Sequence, residues 1–395
     1  MRLTSIRPVL AAGLFVASAA GGLGAPPSAL AQIAVSANDG KMRLVDGVAT
    51  VVEQPRPDSV SIIDFASGTP RVRATIPAPA SVVGPPVSVA VTADESLALV
   101  SSAMKLDPAN PRRTIPDNRV SVIDLKAEPP VVIATLEVGQ GAAGLSIHPS
   151  GTLAIVANRA EGTVSVLTIA GRTVTVGPKI ALGEPTSGPS HVAFTPDGRT
   201  ALVTRDNDHK ISVLAIEGTT VTYTRRDLNA GLRPYGLDVS TRGDVAVVAN
   251  IGLGGGDADT ISLIDVRAQP PRVVNTISVG QTPEGIKMAP DGRHVAVVVM
   301  EGSNKPRNSP FFAARGKVVV YEVRGTELAK VAEAPIGQWS QGAAWSADSR
   351  RLLVQNMVGD DIQVFAFENG ALREIGVLAM PASPASIRTA EPVRR

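Results

Sequence analysis

The stretch GPSHVAFTPDGRTALVTRDND, residues 188–208, contains an apolar run, a Pro-Asp-Gly turn and a second apolar run. A near copy, TPEGIKMAPDGRHVAVVVMEG, follows at 282–302. Proline presets one turn dihedral, Asp bonds its own backbone and Gly accepts a positive φ, so each copy reads as a tight β-hairpin. PSG at 149–151 and TRG at 241–243 supply the same turn elsewhere. The segments VSIIDF, VSVIDL, VSVLTI, ISVLAI, ISLIDV, VVVYEV and IQVFAF start at Val60, Val120, Val164, Ile211, Ile261, Val318 and Ile362, so one unit recurs seven times. The intervals of 60, 44, 47, 50, 57 and 44 residues imply a period near 44 with insertions in the longer units.

Each unit reads as four strands, because alternation and β-branched enrichment mark four short runs separated by turn residues. A period of 40–50 residues with four strands per repeat predicts an all-β, seven-bladed β-propeller with four antiparallel strands per blade. The segment QIAVSAND, 32–39, matches the second strand of a blade that lacks its first, and SPASIRT, 383–389, matches an innermost strand. The ring is therefore expected to close by sharing its last blade between the termini, with 384–389 pairing with 33–36. Sharing removes the open edges of a linear array.

The opening residues carry Arg2 and Arg7, an apolar run at 9–20 and the small-residue site ALAQ at 29–32. This pattern predicts a signal peptide over 1–31, a propeller over 32–389, a flexible tail over 390–395, and a periplasmic or secreted protein. The apolar run is too short for a transmembrane helix, so no membrane anchor is expected after cleavage. Without residues 1–31 the chain has 36 basic and 36 acidic residues, which gives no basic stripe for nucleic acid. The chain has no cysteine, which excludes disulfides and thiolate ligands and disfavours an electron-transfer subunit. A monomer without cofactor or metal is expected, since the four histidines fall in separate settings.

Long insertions at 40–57, 105–118, 251–259 and 301–315 all fall between second and third strands, and such links share a face with the links entering each innermost strand. Loops that vary on a rigid scaffold tend to carry binding. That face is the expected docking surface for a small molecule or a protein partner. Ligand-binding candidates at its channel mouth are His191, Arg205, Asp206, Arg233, Tyr235, Glu284 and Gln341, with His191 and Glu284 as catalytic candidates. Arg159 and Trp339 belong to the same links, as do Asn158, Asn250, Glu301 and Asn356, where the asparagines read mainly as turn caps. A ring of Arg, His and carboxylate suits an anionic or carbonyl-bearing ligand. GLGGGD at 252–257 lacks the Lys-Ser/Thr ending of a phosphate loop and reads as a plain loop.

The run VSVIDL…VVIATLEVGQGAAGLSIHPSGTLAIVAN, within 120–158, resembles the YVTN-type repeat of exported bacterial propellers. The stretch GPSHVAFTPDGRTALVTRD is similar to the GPRH…F.PDG…YVVNE pattern of the 6-phosphogluconolactonase-like propellers. His191 and the turn match, whereas Ser190, Arg205 and Asp206 stand where that pattern has Arg, Asn and Glu. The resemblance implies the propeller fold but not one activity. An exported binding or interaction propeller is the first expectation. The alternative is a lactonase-like hydrolase, which would need His191, a carboxylate and an arginine in one pocket.

Overall fold

The structure is a computed structural model and describes residues 33–66 and 68–391. The expected leader with its cleavage site lies outside them, as do residues 392–395 of the expected tail. Seven four-stranded antiparallel sheets form the blades of a ring, and the only helical element among the described residues is the 3-10 turn Pro185–Ser187. Blades 2 to 7 each use four consecutive strands, with innermost strands Val89–Val91, Ala142–Ile147, Pro189–Phe194, Pro234–Val239, Pro283–Met288 and Ser340–Trp345. Blade 1 is composite: Ser383–Thr389 is its innermost strand, followed by Ile33–Asp39, Ser59–Asp64 and Arg71–Pro77. Ala34 faces Thr389 and Ser36 faces Ile387, so the closing pair lies where the sequence places it.

Each pair of neighbouring blades encloses its own apolar cluster, which explains the alternation along the strands. Trp345, Phe365, Val318 and Val320 lie between blades 6 and 7, for example, and Ala34, Ile63, Ile362 and Ile387 between blades 7 and 1. Burial of such surfaces, each worth roughly 25 cal/mol per Å² of apolar area, holds the ring together without disulfides.

On the insertion face the added segments fold onto one another. Residues 40–57 form the hairpin Met42–Val45 and Val48–Val51, while 105–118 prolong two strands of blade 2, Leu97–Asp107 and Asn110–Asp124. The Arg307 N–H donates to Asp46 Oδ1 at 2.9 Å, and Lys305 Nζ donates to the Gly254 carbonyl at 2.7 Å. Insertions from blades 1, 6 and 5 are thereby linked. Under the hairpin, Met42 packs with Met300, Trp339, Met357 and Ala385, so one half of the channel mouth is an apolar plug.

Candidate functional site at the channel mouth

The polar half of the mouth is assembled from three kinds of position that recur in every blade. The residue just past each second strand supplies Arg159 and Asp206, and the link entering blade 5 supplies Arg233. The second residue of each innermost strand supplies Ser190, Tyr235 and Glu284. Arg233 precedes its strand at φ 56°, where the links to blades 3 and 4 have Gly141 and Gly188, also at positive φ. Thr282 and Trp339 hold the same conformation in the links to blades 6 and 7, so the positive φ belongs to the repeated link, which places the Arg233 side chain at the mouth.

Asp206 is the hub of the cluster. Its carboxylate is fully buried and accepts from both terminal nitrogens of Arg159 at 2.5 and 2.9 Å, from Arg233 Nη2 at 2.7 Å and from Ser190 Oγ at 2.7 Å. Arg159 also bonds Ser190 Oγ and stacks over the Tyr235 ring, with its guanidinium carbon 5.5 Å from the centroid. Burial alone would raise the Asp206 pKa, but the bonds from Arg159, Arg233 and Ser190 hold it below the ordinary carboxylate value. Burial pushes Glu284 up to about 8 against the opposing pull of Arg159 and Arg233. Burial also raises the Tyr235 phenol, which stays protonated.

At pH 7 the cluster therefore holds two cationic guanidiniums, one carboxylate and a Glu284 that is mostly neutral. The balance is one positive charge, and Arg159 and Arg233 keep 18% and 32% of their side-chain surface in solvent. Removing the hub leaves two partly buried cations without a counter-charge, so Asp206→Ala is expected to destabilise the protein by about 3 kcal/mol. Urea midpoints measure this, and a loss under ~1 kcal/mol would show that the arginines relax into solvent.

The structure brings Asp206, Arg233, Tyr235 and Glu284 together, with Arg159 and Ser190, but leaves three expected members out: His191, Arg205 and Gln341. His191 is fully buried in the other half of the channel, where its Nδ1 accepts the Leu237 N–H at 2.9 Å. Burial, then the nearby charges of Arg388 and Lys287, push its pKa well down, so it is a neutral imidazole. The physical reason for its placement is its position: His191 is the third residue of its innermost strand, where blades 3, 5, 6 and 7 have Gly144, Gly236, Gly285 and Gly342, and where a side chain leans onto the backbone of the next blade instead of into the mouth. Arg205 turns away between blades, donating to Asp227 Oδ2 at 2.9 Å and to the Leu182 carbonyl. It occupies the strand-end position that Asn158, Asn250 and Asn356 fill elsewhere. There the amides donate to side-chain oxygens of the third strand, as Asn250 does to Thr260 and Ser262 at 3.0 Å.

Gln341 is buried on the innermost strand of blade 7, with its Nε2 3.4 Å from the Trp339 carbonyl and its Oε1 without a partner among the described residues. Trp339 belongs to the apolar plug, and Glu301 pairs with Lys317 at 2.9 Å. Phe311 lies against Gly256, so part of the 301–315 insertion packs on the 251–259 insertion. Glu284 and Arg159 were legible candidates, but a Ser190 bond to the hub was not, because serine carries no sequence signal for such a role.

Fold and mouth together define a seven-bladed propeller with an arginine–carboxylate cluster at one end of its axis. No protein-family model matches the chain, and no curated protein matches it. Solved structures do match. A putative 6-phosphogluconolactonase from Bacteroides fragilis is 16% identical at a TM-score of 0.68, covering 92% of this chain and 99% of its own. The periplasmic gluconolactonase of Pseudomonas aeruginosa is 18% identical at a TM-score of 0.62, covering 92% of this chain and 100% of its own. A functionally unknown protein from Desulfotomaculum acetoxidans is 15% identical at a TM-score of 0.68, covering 91% of this chain and 99% of its own. At such identities the shared property is the fold.

Proposed function

We propose that the protein is an exported propeller that binds a small carboxylate- or carbonyl-bearing ligand at the polar half of its channel mouth. The observation that carries this reading is geometric: Arg159 and Arg233 converge on a single buried carboxylate, Asp206, and both keep part of their side-chain surface in solvent. A ligand carboxylate there gains charge-assisted hydrogen bonds from groups already desolvated and oriented by the hub. The N-terminal pattern of residues 1–31 supports export, and so does the fold likeness to a periplasmic gluconolactonase.

A second reading, lactone hydrolysis, is favoured by Glu284 together with the lactonase names of the similar structures. In it the Glu284 carboxylate takes a proton from water, whose oxygen attacks the lactone carbonyl carbon while an arginine faces the developing oxyanion. The ring C–O bond then breaks, the leaving oxygen takes the proton from Glu284, and the resulting carboxylic acid releases its remaining proton to solvent to leave the hydroxy acid as a carboxylate. His191 has no part in either reading.

Titration calorimetry with a panel of sugar acids and their lactones tests both. Arg233→Ala is expected to weaken binding of a panel hit ten- to hundredfold, the value of one lost charge-assisted bond. Arg199→Ala, beside a short turn on the opposite face, is expected to change nothing. Equal sensitivity of the two variants would place the site elsewhere.

A further inference from the structure

The ring has a second set of charged side chains inside it, three residues further along the innermost strands. Where Tyr235 and Glu284 stand at the mouth, Asp238 and Lys287 stand near the other end of the channel, joined by Arg388 of the closing strand. A cavity of about 90 Å³ opens there, lined by strands of blades 2 to 5 and by Arg388, His191, Asp238 and Glu391. By the measure in which a single water needs ~10–15 Å³, it has room for several.

Arg388 is only 5% exposed, and its Nη2 has no hydrogen-bond partner among the described residues. Such an orphan donor in a buried guanidinium is costly, and natural cavities seldom leave one without a reason. His191 adds a second donor: with Nδ1 accepting from Leu237, its proton sits on Nε2. At the edge of the cavity the buried Lys287 Nζ bonds Asp238 Oδ2 at 3.0 Å and Glu391 Oε1 at 2.5 Å. Asp238 is fixed by the Met288 N–H at 2.8 Å, whereas the Glu391 side chain is half in solvent. Residue 391, assigned from sequence to a free tail, is thus held against the ring.

We propose that this cavity is a second binding site, for a small carboxylate held by Arg388 and His191, and that Glu391 on Lys287 is a built-in competitor at its rim. With Glu391 in place the charges of Lys287 and Arg388 are balanced by Asp238 and Glu391. With Glu391 displaced, one positive charge is left for the ligand. A tethered carboxylate competes at an effective concentration in the millimolar range or above, so its removal raises the apparent affinity of a free one.

Malonate is the probe, titrated calorimetrically into the full chain at pH 7. In the Arg233→Ala background, where the mouth is weakened, Glu391→Ala is expected to tighten malonate binding about tenfold and Arg388→Met to abolish the remaining binding. Arg388 lies in the closing strand, so melting curves must show that the Met variant folds. If it does not, the Glu391→Ala arm decides alone. Unchanged malonate affinity in Glu391→Ala overturns the proposal, as does loss of all binding on Arg233→Ala, which would assign malonate to the mouth. Failure of the mouth to bind any carboxylate leaves this expectation intact, because the two sites share no residue.

Discussion

Truncation after Pro381 is expected to abolish the cooperative melting transition of the protein. The deletion takes out Ser383–Thr389, whose seven residues are all buried, and exposes the inner edge of Ile33–Asp39, equally buried. It removes Ala385 and Ile387 from two apolar clusters and strands Gln355, whose amide donates to the Ser386 carbonyl at 3.0 Å. An innermost strand also touches the innermost strands on both sides, so its loss opens the ring at blade 1 rather than trimming it. A propeller has no spare closure, and an unpaired edge of buried residues invites association. Calorimetry of the truncated chain, with and without a peptide spanning 382–395, measures the effect. Recovery of the transition with the peptide is the expected companion result, and a melting curve like that of the full chain would refute the role of this strand.

Raising the pH from 5 to 9 is expected to destabilise the folded protein through Glu284, and Glu284→Gln to remove that part of the pH dependence. The sign follows from the direction of the shift. Glu284 has its pKa raised in the folded state from 4.5 to about 8, so between those values the native chain binds more protons than the unfolded one. Stability therefore falls as the pH rises through this window, by up to ~1.4 kcal/mol per unit from this group, and levels off above about 8. Other raised carboxyls, such as Asp39 and Asp259, act in the same direction, so the quantity to measure is the difference between wild type and Glu284→Gln. A difference that does not vary with pH would mean that Glu284 is ionised in the native protein.

The same titration separates the two functional readings. Ionisation of Glu284 cancels the positive charge of the mouth, so carboxylate binding is expected to weaken above about pH 8. Turnover of a lactone with Glu284 as base rises over the same range, because the base must be ionised. A ligand whose affinity drops while no turnover appears identifies a binding protein.

The number of blades, the four-strand unit and the closing pair were legible because hydrophobic alternation is a local signal repeated seven times, reinforced by Pro-Asp-Gly turns in two units and by related turns in two more. The convergence of Asp206, Arg233, Tyr235 and Glu284 was legible too, since link order alone puts their positions at one mouth. His191 was not, because it stands one residue past the mouth position, where four other innermost strands carry Gly144, Gly236, Gly285 and Gly342 and a side chain meets the next blade. Arg205 was misread for another reason: it replaces an asparagine whose place, seen in Asn158 and Asn250, turns toward the blade rather than the axis. Lys287 and Arg388 had a signal that was passed over. A charged residue in the most buried strand of a blade has little solvent to reach, so its charge must be answered inside the ring.

The composite first blade also sets a clock. Strand Ile33–Asp39 is synthesised first among the described strands, but the strand that covers its inner edge follows about 350 residues later, which at 5–20 residues per second is roughly 20–70 s. Blades 2 to 7 can each complete their own four strands as the chain emerges. Blade 1 cannot. Throughout that interval the oldest part of the molecule presents an unpaired edge of the sequence IAVSAND, and a strand from a second nascent chain competes with a partner that does not yet exist.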